Sequence, residues 1–362
     1  MNVLIGYGYH PVTAGSYIER ALARRATTTF VGMAGGDRAG FAPTGDLGSL
    51  ARNLSQQPDL YLYVDSGEPG YLPRGLTQLD VPTACYLIDV HLRSRELLKK
   101  ALLFDYAFSA QCDFVAVLRA AGHPQAHWLP LACDPQVHRR YDVPKRYDIG
   151  FVGSVRSGYE RRRVLVERLA RRFTINDYSQ PHTPAEMARL HSESRLVFNC
   201  SMRHEVNMRL FEAPATGSLL LTDRIGNGLD ALVTDREHVV MYDDDRLVDL
   251  ADEYLRDEAA RERIARQGYE HVRAHHTYLH RVDTILDTVF AATLRPRLDA
   301  PLRQCSDVDV ELAYAELYSM MGQVDETIDQ YRRTPRRWRY RAPAAKQLAL
   351  CLLRRAHYLT QV

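Results

Sequence analysis

The chain has 362 residues, of which 46% are hydrophobic and 25% charged, and its formal net charge is +2. This composition is typical of a folded globular protein and excludes a disordered chain, while the length favours two domains plus an appendage. No apolar run reaches the roughly 18 residues that a membrane-spanning helix needs, and the small net charge indicates no particular partner.

Six cysteines are scattered along the chain without any C-x-x-C pair: Cys85, Cys112, Cys133, Cys200, Cys305 and Cys351. Their spacing matches neither a zinc site nor a disulfide framework, so we expect reduced thiols and no bound metal. No basic residues precede the first apolar run, which is therefore interpreted as a buried strand and not as a signal peptide. Together these features predict a cytoplasmic protein.

The first part of the chain alternates short apolar runs with helical patterns. Strands are predicted at residues 3–6, 28–31, 60–64, 84–88, 106–109 and 127–129, and helices at 13–24, 93–103 and 113–121. This alternation predicts a parallel sheet with helices on both faces, hence a Rossmann-like domain over residues 1–138. Three prolines and mixed charge at residues 130–146 then indicate an interdomain linker.

A second alternation follows the linker. Strands are predicted at residues 147–152, 173–176, 196–200, 219–222 and 238–242, and helices at 159–171, 184–192, 206–216, 246–271 (interrupted near Asp257) and 278–294. We therefore expect a second Rossmann-like domain over residues 147–282, followed by a crossover helix over 283–300.

The strand signals stop after residue 300. Helices are predicted at 309–321, 324–332 and 342–358, with a turn at Gly322, and the first two resemble one tetratricopeptide-type (TPR-like) unit. A single unit of this kind cannot bury its own apolar face. Residues 301–362 should therefore form an all-helical extension that packs on the preceding domain or on another copy of the chain, as in a homo-oligomer.

The most informative segment is residues 195–223, RLVFNCSMRHEVNMRLFEAPATGSLLLTD. A buried strand ends at Asn199, and the predicted helix presents Asn207, Arg209 and Glu212 in its first turns. Ligands of doubly wound sheets lie beyond the carboxyl ends of the strands. Helix amides and Arg209 suit a diphosphate, and the Glu212 carboxylate suits two adjacent ribose hydroxyls. The alternative is a surface ion pair between Arg209 and Glu212.

These residues resemble the group 1-type glycosyltransferases of the GT-B fold, in particular their spore-maturation-protein (CgeB)-like branch. Members carry a segment similar to N-x-R-x-F-E-x-x-A-x-G, which here begins at Asn207. The segments WLPLACDPQVH, YDIGFVGS and HTYLHR, which begin at Trp128, Tyr147 and His276, are also similar. The resemblance implies an α/β fold with two Rossmann-like domains, a cleft between them and a nucleotide-sugar donor, which we expect to be a UDP-sugar.

The resemblance also implies roles for single residues. Glu212 would bind the donor ribose and Arg209 would face the diphosphate. Relatives carry two glutamates eight positions apart, whereas Glu205 here precedes Glu212 by seven. Glu205 or His204 would therefore contact the donor sugar only after a shift of the loop.

The segment FVGSVRSGYERRR offers Gly153, Ser154 and Arg156 directly after a predicted strand. Small residues at this place let backbone amides approach a phosphate, and Arg156 would neutralise charge on the leaving group. By resemblance, the loop of Gly153 and Ser154 would face the diphosphate. The alternative is an ordinary strand-to-helix turn, and the arginines at 161–163 are interpreted as a solvated helix face.

In the N-terminal domain, Asp89 and His91 come just after a buried strand. A carboxylate and an imidazole at this position would deprotonate an acceptor hydroxyl or orient the donor sugar. The alternative is that Asp89 caps the next helix and His91 is structural. Gly6 and Gly8 form no G-x-G-x-x-G fingerprint, which disfavours a nicotinamide-dependent dehydrogenase.

Three further motifs receive simpler interpretations. His276 and Thr277 are expected to cap a helix, and the acidic run at 243–245 is expected to be a turn and not a metal-binding D-x-D element. Six arginines surround two aromatic residues at 332–341, which suits a nucleic acid, an anionic glycan or the inner membrane surface. A solvated loop is the alternative for this last run.

The sequence therefore predicts a GT-B glycosyltransferase that moves a sugar from a nucleoside diphosphate to a hydroxyl of a glycan, lipid-linked or protein acceptor. The C-terminal domain would hold the donor and the N-terminal domain the acceptor. We expect a retaining, metal-independent reaction with no cofactor besides the nucleotide-sugar co-substrate. Two alternatives stay open: a nucleotide-sugar epimerase, and a degenerate, non-catalytic transferase that acts as a scaffold.

Overall fold

The computed structural model describes residues 1–32, 46–65, 72–290 and 298–333. The chain divides into two units, each with its own parallel sheet. The first unit contains residues 1–110, 114–129 and those from 285 onward, and the second contains residues 111–113 and 130–284.

The described part of the first unit contains one six-stranded sheet with the strand order β2-β1-β3-β4-β5-β6, and every pairing is parallel. Its strands are β1 (Asn2–Gly6), β2 (Thr27–Phe30), β3 (Leu60–Asp65), β4 (Thr83–Leu87), β5 (Tyr106–Ser109) and β6 (Ala126–Trp128). All six strands expected in this part of the chain are confirmed. The central β3 is buried along its whole length, as expected for a strand that is covered on both faces.

The three helices predicted before residue 130 are confirmed, and one more is present. They are α1 (Ala14–Leu22), α2 (Leu47–Arg52), α3 (Val90–Ala101) and α4 (Cys112–Ala120). The short α2 was not expected from the sequence. Its Asp46 N-cap accepts a hydrogen bond from Ser49 N at 2.6 Å, which satisfies a backbone donor that has no partner within the helix.

Two helices near the C-terminus pack within the first unit. Helix α11 (Asp307–Met320) follows an N-cap at Ser306, and a turn with Gly322 at φ 76° leads into α12 (Val324–Arg333). The hydroxyl of Tyr318 donates to Leu72 O at 2.9 Å, and Tyr314 donates to Pro73 O at 3.1 Å. The apolar face of this hairpin is therefore covered by the first unit of the same chain.

The described residues of the second unit form a four-stranded parallel sheet with the order β10-β9-β8-β7. The strands are β7 (Tyr147–Gly150), β8 (Ser194–Phe198), β9 (Leu219–Asp223) and β10 (Val240–Tyr242). The helices around it are α5 (Glu160–Ala170), α6 (Pro184–Ser192), α7 (Arg209–Glu212), α8 (Leu247–Arg256), α9 (Glu258–His275) and α10 (Tyr278–Phe290), and the unit boundary falls within α10. The interruption expected near Asp257 is confirmed, because Asp257 ends α8 and caps α9 by accepting from Ala260 N.

The strand expected at residues 173–176 is not formed. This segment pairs with β7 only at a single bridge between Ile149 and Ile175. The side-chain amide of Asn176 then replaces strand pairing, because it accepts from Phe151 N at 2.8 Å and donates to Phe151 O at 2.9 Å. A side chain thus takes the hydrogen bonds that a neighbouring strand would have supplied.

The long helix expected at residues 206–216 is also wrong. Only the four residues of α7 are α-helical, and residues 214–216 form a 3₁₀ turn that ends at Gly217 with φ 77°. Pro214 explains the break, because proline has no backbone N–H to donate and its ring crowds the carbonyl four residues earlier. Such a short helix has little macrodipole, so the positive charge near this segment comes chiefly from Arg209.

The predicted helix at 342–358 and nearly all of the arginine-rich run at 332–341 lie outside the described residues. In the part of the chain that is described, no helix is both long and apolar enough to cross a membrane.

Candidate functional site

The carboxyl ends of β7, β8 and β9 meet at one edge of the second sheet, because the three strands are parallel. The loop with Gly153 follows β7, Asn199 follows β8 directly, and β9 ends at Asp223. Open α/β sheets bind their ligands at this edge. The structure therefore brings the donor-side residues expected from the sequence to one edge, which we call the carboxyl edge.

Arg209 connects the loops after β7 and β8. Its Nη1 donates to Asn199 Oδ1 at 3.1 Å, and its Nη2 donates to the carbonyl oxygen of Val152. A Cβ at Gly153 would lie 3.2 Å from Nη2, so the glycine leaves room for the guanidinium. The guanidinium carbon also lies 5.6 Å from the centre of the Phe151 ring, within cation–π range.

Two asparagines, Asn199 and Asn207, form hydrogen bonds with Arg209 and with each other. Asn207 Nδ2 donates to Asn199 Oδ1 at 3.1 Å, and Asn207 Oδ1 accepts from Arg209 N at 3.2 Å. Asn199 Nδ2 donates in turn to Thr222 Oγ1 at 3.0 Å. These bonds fix the orientation of both amides and hence the position of the guanidinium.

Arg209 is in an environment that favours an anionic ligand. Burial lowers the pKa of its guanidinium to about 10, since desolvation outweighs the attraction of the Glu212 carboxylate. The Nε atom is buried without a hydrogen-bond partner among the described residues. A buried donor that lacks an acceptor is costly, and an anion at this edge would relieve part of that cost.

Glu212, at the end of α7, is 8% exposed and lies beside a histidine that is fully buried. Its Oε1 is 3.2 Å from His138 Nε2. The other ring nitrogen, Nδ1, accepts from Asp134 N at 2.9 Å, which holds the ring in place. Glu212 therefore lies beside a buried imidazole, and the surface pair with Arg209 considered from the sequence is not what the structure contains.

Glu205 has its carboxylate turned back onto its own loop. It accepts from Met202 N at 2.9 and 2.8 Å and from Arg203 N at 2.7 Å. The adjacent His204 has φ 60°, a conformation that is costly for a residue with a side chain. In this conformation Glu205 shapes the loop, and its oxygens already accept from two backbone N–H groups.

Ser154 and Arg156 lie in the loop after β7, where Ser154 Oγ accepts from Arg156 N at 3.4 Å. Arg156 itself is exposed. Arg162 links this loop to the end of β8, because it donates to Cys200 O at 3.1 and 2.7 Å and to Ser154 O at 3.3 Å.

The expectation that residues 161–163 form a solvated face is therefore wrong for Arg162, whereas Arg161 and Arg163 are exposed. Arg162 is only 8% exposed, and Arg161 pairs with Asp223 at 2.8 Å and with Asp244 at 2.7 Å. The sequence signal that could have indicated these contacts was the position of Arg161 and Arg162 at the start of α5, beside the carboxyl edge. The sequence did not distinguish Arg162 from its neighbours, because a run of arginines does not reveal which member faces the core.

In the first unit, Asp89 and His91 lie just after β4, at the carboxyl end of that sheet. Asp89 occupies the N-cap position of α3, but its side chain makes no capping hydrogen bond. Sequence reasoning missed the neighbouring Asp65, which ends β3 and lies 2.8 Å from the buried ammonium of Lys100. Burial opposes ionisation, yet the charges of Lys100 and Arg93 lower the pKa of Asp65 below its usual value.

The expectations for the acidic run at 243–245 and for the helix cap at Thr277 can be compared with the structure. The acidic run at 243–245 is a turn in which Asp244 accepts from Arg161. Thr277 precedes α10, and its N–H donates to His280 Nδ1 at 3.2 Å, as in a helix cap. No cluster of three or more potential metal ligands occurs among the residues described.

Two parallel α/β sheets, each with functional candidates at the carboxyl ends of its strands, define the GT-B fold. Comparison with known proteins agrees. Residues 138–287 match the family model described as "Glycosyl transferase-like". A search of curated proteins finds no significant match to the chain.

Several solved structures share the fold at low sequence identity. HepE of Anabaena, solved with UDP and glucose, has a TM-score of 0.59 and 14% identity over 80% of this chain and 100% of its own. Sucrose-phosphate synthase of Thermosynechococcus elongatus has a TM-score of 0.55 and 13% identity over 81% of this chain and 100% of its own. A glycosyltransferase of Rickettsia africae has a TM-score of 0.56 and 10% identity over 79% of this chain and 97% of its own.

Proposed function

We propose that this protein is a glycosyltransferase that transfers a sugar from a UDP-sugar to an acceptor hydroxyl, and that it falls in the spore-maturation-protein-like branch of group 1. The observation that carries the proposal is the arrangement of Arg209, Asn199 and Glu212 along the carboxyl edge. It combines a guanidinium held by hydrogen bonds with a nearly buried carboxylate, and these two groups suit the diphosphate and the ribose of a nucleoside diphosphate. The structures of HepE with UDP and with UDP-glucose support the choice of uridine.

On the donor side, Glu212 accepts hydrogen bonds from the two ribose hydroxyls, with His138 Nε2 at 3.2 Å from its Oε1. Arg209 binds the diphosphate, and its buried Nε supplies a donor that otherwise has no partner in the described structure. The backbone amides of Gly153 and Ser154 and the exposed Arg156 add to this site. Glu205 keeps the loop in shape, and we do not assign it a contact with the sugar.

In the reaction, the bond between the anomeric carbon and the diphosphate oxygen breaks, and the acceptor oxygen forms the new bond. The electron pair leaves with UDP, whose negative charge Arg209 and the loop amides stabilise. We propose Asp89 and His91 as the groups that orient the acceptor and take its proton. Retention of configuration and independence of metal are part of the same proposal, with a glycan, a lipid-linked sugar or a protein as acceptor.

The first test is the thermal stability of the full chain with UDP, GDP, dTDP, CDP and ADP. A nucleotide at a hundredfold excess over its dissociation constant stabilises by about 2.7 kcal/mol, which is about 5–10 °C for a unit of this size. We expect this shift for UDP with the native protein but not with Glu212→Gln. Glu193→Gln is the matched control, because Glu193 is equally buried but lies just before β8 at the opposite edge.

A second assay separates transfer from the two alternatives. UDP release from a UDP-sugar, with the sugar recovered on an acceptor, identifies a transferase, whereas an epimerase changes the donor sugar without net UDP release. Native protein that shows neither nucleotide-dependent stabilisation nor UDP release would contradict the proposal and favour a scaffold role.

A further inference from the structure

A second candidate site lies at the edge of the second sheet opposite to the carboxyl edge. A cavity of about 570 Å³ is bordered there by Lys145 just before β7, by Arg195 in β8, by Gly217 just before β9 and by α9. Because the strands are parallel, this amino edge is at the far end of the strands from Arg209 and Glu212. The cavity, which we call the amino-edge cavity, is therefore separate from the donor site.

The lining of this cavity is strongly cationic. Two carboxylates, Glu258 and Glu262, face six cations: Arg140, Lys145, Arg195, Arg261, Arg263 and Arg266. Two of these cations have acidic partners, since Arg195 pairs with Asp148 at 3.0 Å and Arg261 with Glu258 at 2.9 Å. Removing both pairs leaves four cations against one carboxylate.

Arg140 and Arg266 are the groups best placed to bind a ligand. Both are exposed, and their side chains make no hydrogen bond or ion pair with any residue that the structure describes. The stem of Arg140 lies over the backbone of Gly217, where an added Cβ would come within 3.1 Å of Arg140 Cδ. This contact places the stem of Arg140 against the cavity wall at Gly217.

Lys145 contributes charge but no free donor. Its ammonium donates to Ser192 O at 2.9 Å, to Ser194 O at 2.7 Å and to Ser218 Oγ at 3.3 Å, which uses all three N–H groups. Burial of the ammonium, together with the charge of Arg140, lowers the pKa of Lys145 to about 8. A neighbouring anion would relieve this repulsion among like charges.

We propose that the amino-edge cavity binds a ligand with a phosphate group, which Arg140 and Arg266 grip through their guanidinium groups. Guanidinium matches phosphate geometry in a bidentate manner. The volume lies within the range of small-molecule sites, so it admits a phosphate together with an organic part. The charged lining selects against an apolar ligand. A soluble phosphorylated molecule and a lipid headgroup share this chemistry.

The test is calorimetric titration of the full chain with inorganic pyrophosphate at low salt. Arg140→Gln/Arg266→Gln should bind at least about tenfold more weakly than the native protein, because two charge-assisted contacts are lost. Arg171→Gln/Arg256→Gln is the control, since it removes the same charge from exposed positions outside the cavity. A loss confined to the first variant cannot come from the donor site, which lies at the other edge.

A third variant should strengthen binding, which structural damage would not do. Glu262→Gln removes a negative charge from the cavity wall, and we expect pyrophosphate to bind about threefold more tightly. Equal affinity in the native protein and in both double variants would overturn the proposal, as would weaker binding by Glu262→Gln.

Vesicles distinguish the two sources of phosphate. Sedimentation with phosphatidylcholine vesicles that contain phosphatidic acid, lost in Arg140→Gln/Arg266→Gln but kept in the control, would support a lipid headgroup. Pyrophosphate binding without sedimentation would support a soluble ligand. If neither pyrophosphate nor the vesicles bind the native protein, the cavity is not a phosphate site.

Discussion

The first unit contains a buried charge cluster whose balance can be tested. Asp65 and Lys100 are each 1% exposed, and Lys100 Nζ lies 2.8 Å from Asp65 Oδ2 and 3.3 Å from Glu96 Oε1. Arg93 pairs with Asp65 and, at 2.9 Å, with Glu96. Two cations and two anions thus cancel, so the cluster is neutral as a whole.

Removing one member should cost far more than removing a neutral pair. Lys100→Met keeps most of the side-chain volume but leaves a buried negative charge, and Asp65→Asn leaves a positive one. We expect each to lower the free energy of unfolding by about 3–4 kcal/mol. The double variant restores neutrality, with Arg93 and Glu96 as the remaining pair, and should lose less than the two single losses combined.

The assay is denaturant unfolding of the four proteins, followed by circular dichroism. Lys99→Met is the control, because Lys99 makes a partly exposed pair with Glu316 and should cost no more than about 1 kcal/mol. If the double variant loses as much as the sum of the single variants, the residues do not compensate one another and the reasoning is refuted.

Three further predictions concern the second unit. Burial and the charge of Arg281 lower the pKa of His276 to about 3. The free energy of unfolding should therefore be unaffected by this group above about pH 6.5 and should decline by up to about 1.4 kcal/mol per pH unit as the pH falls towards 4. Urea unfolding of His276→Gln at several pH values should show a weaker decline, and an unchanged decline would contradict this reasoning. Gly217→Ala should cost about 1–2 kcal/mol in the same melts, because φ is 77° there, and a neutral effect would show that the backbone can adjust. Arg162→Met should cost about 2–3 kcal/mol, since the buried Cys200 carbonyl loses two donated bonds; a melt within error of the native one would exclude that role.

The sequence alone determined most of the strands and helices. It also located the carboxyl edge of the second sheet, but not the amino-edge cavity. The apolar runs and their spacing gave all six strands of the first sheet, and the breaker at Asp257 gave the division between α8 and α9. The motif around Arg209 and Glu212 could be found because its members are close in sequence and follow a buried strand. Local periodicity suffices for such features, since they depend on neighbours only a few residues away.

The tertiary structure decided which partner each polar side chain took. His138 reaches Glu212, Lys100 reaches Asp65 and Arg162 reaches Cys200 across dozens of residues, and none of these pairs has a local signal. The carboxylate of Glu205 folds back on its own loop, where it accepts from the backbone N–H groups of Met202 and Arg203. Burial makes such pairings obligatory, because a polar group without water must find a partner, and only the register of distant strands determines which partner is within reach.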